Sequence, residues 1–316
     1  MATPLVETRN LKKYFKTGSG ILHAVEDVNL KIMPGKTLGV VGESGCGKST
    51  LGRTILRLQP ATAGEVLYNG ENILKYKGRD MQKIHMNMQM VFQDPYSSLD
   101  PRMSVHNLIA EPVQVCGLLK SKTEINDHVH KIMDMCGLPA DQANLYPHEL
   151  DGGLRQRVGL ARAMAVSPKF IVCDEPVSAL DVSIQAQILN LLMDLQEQRG
   201  LSYMFITHDL CVVKHISDEI MVMYMGQVVE HAKTAELFAN PVHPYTKALL
   251  HAVPTIDLSR RNREHHVLRG EVSSPINPAP GCRFAPRCPY ATDKCRENIC
   301  LKEVAPDHFV ACSLCD

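Results

Sequence analysis

The segment that most limits what this chain can fold into is Gly42-Glu43-Ser44-Gly45-Cys46-Gly47-Lys48-Ser49. It follows the short apolar run Thr37-Leu38-Gly39-Val40-Val41 and precedes residues compatible with a helix, beginning at Thr50. Strand, glycine loop and helix in that order are the context that G-x-x-x-x-G-K-[ST] requires. The glycines let the backbone curl so that successive N–H groups point at phosphate oxygens, and the following helix adds its positive dipole end. Lys48 then neutralises the β- and γ-phosphates, and the Ser49 hydroxyl ligates Mg²⁺. An ordinary glycine turn is the competing reading, and the flanking strand and helix weigh against it.

Two further apolar runs, Phe170-Ile171-Val172-Cys173 and Tyr203-Met204-Phe205-Ile206, lack alternation and read as buried parallel strands. Between them Ile184, Ile188, Leu191, Leu192 and Leu195 share one helical face, with Asp181 or Ser183 as its cap. The expected fold class is therefore α/β with a parallel sheet. Val25 to Ile32 alternates as a strand, and Ile220 to Val229 reads as a hairpin turning at Met225-Gly226. From Ser97 to His148 the pattern is helical, an apparent insertion. Beyond Asn240 the chain becomes rich in proline, histidine and cysteine, and a domain boundary is expected there.

Asp174 and Glu175 end the Phe170 strand and so fall at the carboxyl edge of the sheet, where such sheets bind ligands. Asp174 suits a Mg²⁺ role through water, and Glu175 suits polarising an attacking water. Lysine plus arginine number 34 and aspartate plus glutamate also number 34, a balance that argues against a protein coating nucleic acid or anionic membrane by bulk charge. No apolar run approaches the length of a membrane span, and the first residues lack a secretory pattern, so a cytoplasmic protein is expected. Six of the 11 cysteines crowd the final 35 residues, and in a reducing compartment such a cluster reads more readily as metal ligands than as disulfides.

Taken in order, these motifs resemble the ATP-binding-cassette (ABC) ATPases. The resemblance implies an ABC-type P-loop NTPase, with a RecA-like core, an antiparallel β subdomain and a helical subdomain inserted at about 97–158, within a domain spanning 1–239. It implies ATP and Mg²⁺ as ligands, Phe15 stacking on adenine, and the loop from Gly42 to Thr50 holding phosphates. Gln93, within Met90-Val91-Phe92-Gln93-Asp94-Pro95-Tyr96, matches the glutamine loop that senses Mg²⁺ and contacts membrane subunits. Ser178 and Asp181, in Ser178-Ala179-Leu180-Asp181, match the loop touching a partner ATPase. His208 matches the switch histidine that reaches the γ-phosphate. Family members pair head to tail, each ATP lying between one phosphate loop and the partner's Leu-Ser-Gly-Gly-Gln signature. Here the signature reads Leu150-Asp151-Gly152-Gly153-Leu154. Asp151 cannot donate to a phosphate when ionised, so the site completed by Asp151, Gly152, Gly153 and Leu154 is expected to be degenerate.

Asn240-Pro241-Val242-His243-Pro244-Tyr245 and Gly281-Cys282-Arg283-Phe284-Ala285-Pro286-Arg287-Cys288-Pro289 are similar to the C-terminal extension of dipeptide and oligopeptide importer ATPases, most like the second ATPase subunit. The extension then spans 240–316. The implied partners are a paralogous ATPase, two transmembrane permeases and, indirectly, an extracytoplasmic peptide-binding protein, with no nucleic acid. The implied location is the cytoplasmic side of the plasma membrane, held peripherally. Nickel, glutathione and antimicrobial-peptide systems use similar ATPases, and a soluble cassette ATPase is a more distant alternative. Cys282, Cys288, Cys295 and Cys312 match the extension's cysteine positions. Four thiolates suit a [4Fe–4S] cluster or zinc. The lack of paired C-x2-C knuckles favours the cluster, and unliganded buried thiols remain the third reading.

Overall fold

The structure, a computed structural model, describes residues 3–252 and 275–315. Strands β1 (Val6–Thr17), β2 (Gly20–Ile32) and β3 (Thr37–Val41) precede α1 (Lys48–Ile55), β4 (Ala63–Tyr68), β5 (Glu71–Asn72) and α2 (Gly78–Asn87). Next come β6 (Met88–Val91), α3 (Pro95–Ser98), α4 (Val105–Val115), α5 (Lys122–Met135) and α6 (Gly152–Met164), then β7 (Phe170–Asp174), α7 (Val182–Arg199) and β8 (Ser202–Ile206). The described chain continues through α8 (Leu210–Ile216), β9 (Glu219–Tyr224), β10 (Gln227–Lys233), α9 (Thr234–Ala239) and α10 (Pro244–His251) to β11 (Lys302–Ala305) and β12 (His308–Val310). These elements form two compact units. Among the described residues, one is built from 3–5, 32–36 and 68–206; the other from 6–31, 37–67, 207–252 and 275–315.

In the first unit β6, β7 and β8 run parallel, with Val91 opposite Cys173 and Asp174 opposite Ile206. Every residue of β7 and β8 is buried, as uninterrupted apolar runs covered on both faces require. The helices begin where short polar side chains can satisfy orphan amides. Ser104 Oγ accepts from Asn107 N ahead of α4, and Asp181 Oδ1 accepts from Ile184 N ahead of α7. Gly200, at φ 64°, ends α7 in the left-handed conformation that glycine tolerates. The α7 face expected from periodicity is the packed one, since Ile188, Leu192 and Leu195 are buried.

In the second unit β2, β1 and β4 are neighbours in that order, and a second set runs β3-β9-β10-β12-β11. Val25, Val28, Leu30 and Ile32 of β2 are the buried alternation expected from sequence. β3 pairs parallel with β9, Val40 opposite Met221. β9 returns as antiparallel β10 through Met225 and Gly226, at φ 46° and 82°. Past residue 240 the chain packs back onto this hairpin. Tyr224, Tyr245 and Phe284 form a buried aromatic cluster, with ring centroids 4.7, 5.3 and 5.4 Å apart, and β12 pairs with β10, Glu230 opposite Val310.

Glu230 holds this junction. It is fully buried, and its carboxylate accepts from Val242 N (2.8 Å) and His243 N (2.9 Å), with His308 Nε2 at 2.8 Å. Removing one member of a buried charged network leaves the others uncompensated. Glu230→Ala should therefore destabilise the chain by about 3 kcal/mol or more in urea unfolding. His243 is also buried, and its Nδ1 accepts from Tyr245 N. Burial, then the nearby Lys247 charge, lower its pKa from 6.5 to about 4. An unfolded His243 takes a proton near its ordinary pKa while the folded one resists. Its contribution to stability is thus complete above about pH 6.5 and is lost as pH falls toward 4. Thermal melts should show a drop in melting temperature across that window that is smaller in His243→Asn.

Candidate functional site

The phosphate loop grows out of β3, all of whose residues are buried. Lys48 begins α1 and is itself buried, its Nζ donating to Gly42 O (2.8 Å) and Glu43 O (3.0 Å) and lying 3.8 Å from Cys46 Sγ. The ammonium is thus parked inside the loop by the loop's own carbonyls. Two glycines are there because nothing larger fits. A Cβ at Gly42 (φ 154°) would lie 2.2 Å from Met223 O, and one at Gly47 (φ 104°) 2.1 Å from Ala24 O. Gly226 N donates to Cys46 O at 2.7 Å, so the β9–β10 turn braces the loop from outside. Burial pushes the Cys46 thiol up, keeping it neutral beside Lys48. Ser44 and Gly45 are exposed at the rim, and Ser49 and Thr50 are half-buried in the first turn of α1.

The same unit carries Phe15 and His208. Phe15 is half-buried, with Lys13 Nζ 4.6 Å from its ring centre, an aromatic face presented beside a cation. Thr207 N donates to Val40 O at 3.1 Å, so exposed His208 follows directly beside the strand that feeds the phosphate loop. Asp209 then caps α8 by accepting from Cys211 N and Val212 N.

In the other unit, buried Asp174 closes β7 and half-buried Glu175 turns the backbone at φ 46°, a conformation costly for a residue with a Cβ. Glu175 N donates to Ile206 O (2.9 Å), and Ser178 Oγ donates to Glu175 O (3.1 Å), so the bend is held from both sides. Gln93, just past β6, donates from Nε2 to Glu175 Oε2 at 2.9 Å. The parallel pairing of β6 and β7 thus brings together two residues that the sequence separates by 82 positions.

Asp151 caps α6, its Oδ1 accepting from Leu154 N at 2.8 Å. A carboxylate here satisfies an orphan amide and faces the positive end of the helix, as a serine would with less charge. Gly153 is required by packing, since a Cβ would lie 2.6 Å from Ile184 Cγ2; at Gly152 the nearest atom would be Leu180 Cδ2, at 3.1 Å. Arg155, one residue past the signature, donates from Nε to Pro147 O (2.6 Å) and lies 3.9 Å over the Tyr96 ring.

Of the four cysteines expected as ligands, Cys295 is buried and Cys282, Cys288 and Cys312 are half-buried. Among the described residues no group of three or more His, Cys, Asp or Glu is arranged to hold a metal ion. Cys282 and Cys288 are held above their ordinary pKa, by burial first and then by the electrostatic influence of Cys295 and Cys312 against backbone hydrogen bonds that lower it. Cys295 Sγ is engaged with Ser313 Oγ at 3.3 Å, the main cause of its lowered pKa.

Tyr245 and Arg287 carry no role that the sequence pattern assigns. Both reach the phosphate loop: Glu43 N donates to Tyr245 Oη at 2.8 Å, and Arg287 holds the Glu43 carboxylate at 2.8 and 3.2 Å. A buried arginine paired with a loop acid has no local sequence signal.

Comparison with known proteins adds three findings. The pattern defining ABC transporters matches residues 25–178, and that of the oligopeptide/dipeptide transporter C-terminal region matches residues 229–295. The chain is 49% identical to the oligopeptide transport ATP-binding protein OppF of Bacillus subtilis, over 99% of this chain and 97% of OppF. It is 48% identical to AppF of the same organism, over 98% and 97%. Among solved structures, a dimeric bacterial ABC transporter cassette superposes with a TM-score of 0.66 at 30% identity, covering 72% of this chain and 98% of that one. CbiO1 from Clostridium perfringens, part of an ABC transporter complex, gives 0.67 at 26% identity, covering 75% and 92%. In all these comparisons the cassette fold is shared.

The tight approach at Gly47 makes a direct prediction. Gly47→Ala must push the loop off Ala24 O, so binding of a fluorescent ATP analogue should weaken at least about tenfold, a loss of about 1.4 kcal/mol in titration.

Proposed function

The chain belongs to the ABC transporter ATP-binding proteins, with oligopeptide transport subunits among its nearly full-length relatives, and from that premise we propose that it powers import of di- or oligopeptides. As a member of this family it is an ATPase. The observation that carries the peptide reading is the joint match of a cassette pattern and an oligopeptide/dipeptide C-terminal pattern in one chain. Relatives named for oligopeptide transport and for peptide import support it.

In this reading the loop amides and Lys48 bind the β- and γ-phosphates, Ser49 and Asp174 serve Mg²⁺, and Phe15 stacks on the base. Glu175 polarises the attacking water, and Gln93, hydrogen-bonded to it, reports the state of the site to the membrane subunits. His208 reaches the γ-phosphate. Rate enhancement comes from positioning and charge neutralisation, with no covalent intermediate on the protein. No described helix is long and apolar enough to cross a membrane, so passage of the peptide falls to two permease partners that hold this subunit against the cytoplasmic face. Ser178 and Asp181 face a paralogous ATPase paired head to tail; a solved relative is described as a dimer. Affinity purification of the chain should recover a second ATPase and two membrane proteins, and peptide supplied with its binding protein should stimulate ATP turnover. Recovery of polysomes or DNA instead would sink the reading.

The two ATP sites of that pair are unequal. The one completed by Asp151 and Leu154 meets the γ-phosphate with a carboxylate, and two unit charges 4 Å apart repel by about 4 kcal/mol at an effective dielectric of 20, an upper guide in the presence of Mg²⁺ and lysine. Serine caps a helix as well as aspartate does, so Asp151→Ser leaves α6 intact. With the Glu175 site disabled by Glu175→Gln, Asp151→Ser should raise residual ATP turnover about fivefold, equivalent to about 1 kcal/mol. Unchanged turnover would mean that the capping carboxylate never meets the nucleotide.

A further inference from the structure

Glu43, the second residue of the phosphate loop, is held at three points. Its carbonyl accepts from Lys48 Nζ, its N–H donates to Tyr245 Oη, and its carboxylate receives both terminal nitrogens of Arg287. Tyr245 and Arg287 stand 202 and 244 positions further along the chain, in the C-terminal extension. Tyr245 is fully buried, and the Arg287 side chain is only 7% exposed. Arg287 also donates to Tyr224 Oη at 3.4 Å, with its guanidinium 5.9 Å from that ring. Phe284, three residues earlier, is locked between Tyr224 and Tyr245, which fixes the short turn presenting the arginine.

The chemistry of the loop makes this arrangement consequential. Its backbone N–H groups bind anionic oxygens only if their peptide planes are already aimed. A carboxylate inside an anion-binding loop works against that function by like-charge repulsion. We propose that Arg287, with Tyr245, is a positioning residue for ATP: it neutralises Glu43 and fixes the first turn of the phosphate loop, so that the extension sets nucleotide affinity. This rests on the phosphate-loop reading given above.

The effect belongs to binding, and it is the same in ground and transition states. Arg287→Ala should weaken ATP binding to the full-length chain about tenfold and raise KM in the assembled transporter by a similar factor, with kcat at saturating ATP within about twofold of the parent. Arg287→Lys should retain most of the affinity, because the charge on Glu43 stays compensated. Adding Glu43→Gln to Arg287→Ala should recover most of the loss, since the uncompensated carboxylate is gone. A purely structural arginine would not be rescued in this way. ATP affinity within twofold of the parent in Arg287→Ala, or no recovery in the double variant, overturns the proposal. If Arg287→Ala does not fold, Tyr245→Phe decides: it removes one oxygen from an otherwise unchanged ring and should raise KM about threefold, and an unchanged KM overturns the proposal. Lys48→Ala separates the two levels. Loss of binding there with no effect at Arg287 refutes the positioning role alone; retained binding in Lys48→Ala refutes the phosphate-loop reading and this proposal together.

Discussion

The phosphate loop has backbone where side chains would otherwise be. Met223 O stands 2.2 Å from where a Cβ on Gly42 would sit, and Ala24 O 2.1 Å from one on Gly47. The loop is therefore boxed by two strands and closed by the Gly226 N to Cys46 O bond. Much of the surrounding unit serves that box. β2 must bring Ala24 in, and β9 must turn at Met225 and Gly226 with positive φ at both positions. Inside it, Lys48 has no solvent and folds onto carbonyls that a phosphate would displace it from.

Equal totals of acidic and basic residues conceal three acids, one fully buried and two half-buried, each met by a group from beyond residue 240. Glu26 draws in Arg283 at 3.1 Å along with Tyr14, His23 and Lys12; burial raises its pKa, but those hydrogen bonds outweigh burial and hold it at about 2. Glu43 has Arg287, and Glu230 has His308 and the amides that open α10. Buried ion pairs contribute little net stability because desolvation offsets their attraction, yet breaking one is expensive. These three contacts therefore act as a registration device. They let the extension dock in one way only, while Phe284 and Tyr245 supply the apolar burial that holds it there.

Much of the fold was legible because its signals are local. The buried runs at 170–173 and 203–206, the α7 face and the hairpin turn at 225–226 each follow from a periodicity or a turn residue within a dozen positions. For the same reason local pattern placed the Gly42–Ser49 segment after β3 and Asp174 at the end of β7. The four cysteines were legible only as a crowded segment, and among the described residues no group of three or more His, Cys, Asp or Glu is arranged to hold a metal ion. Spacing places these cysteines in one segment, while the burial that raises Cys282 and the Ser313 hydroxyl that lowers Cys295 are tertiary contacts with no local signal. Asp151 was read as a lost donor, and only the structure showed it also to be a cap on its own helix.

By itself the sequence determined a strand–loop–helix of phosphate-loop pattern, the acidic edge of the sheet, and membership in a family through motifs that run in order. Those are properties of short segments, where chirality, glycine freedom and hydrophobic period leave few options. Tertiary structure alone decided which partners these acids would find. The pairings of Glu43 with Arg287, Glu26 with Arg283 and Glu230 with His308 span 244, 257 and 78 positions. A charge deep in a protein is tolerated only beside its complement, and folding, not spacing, chose the complement.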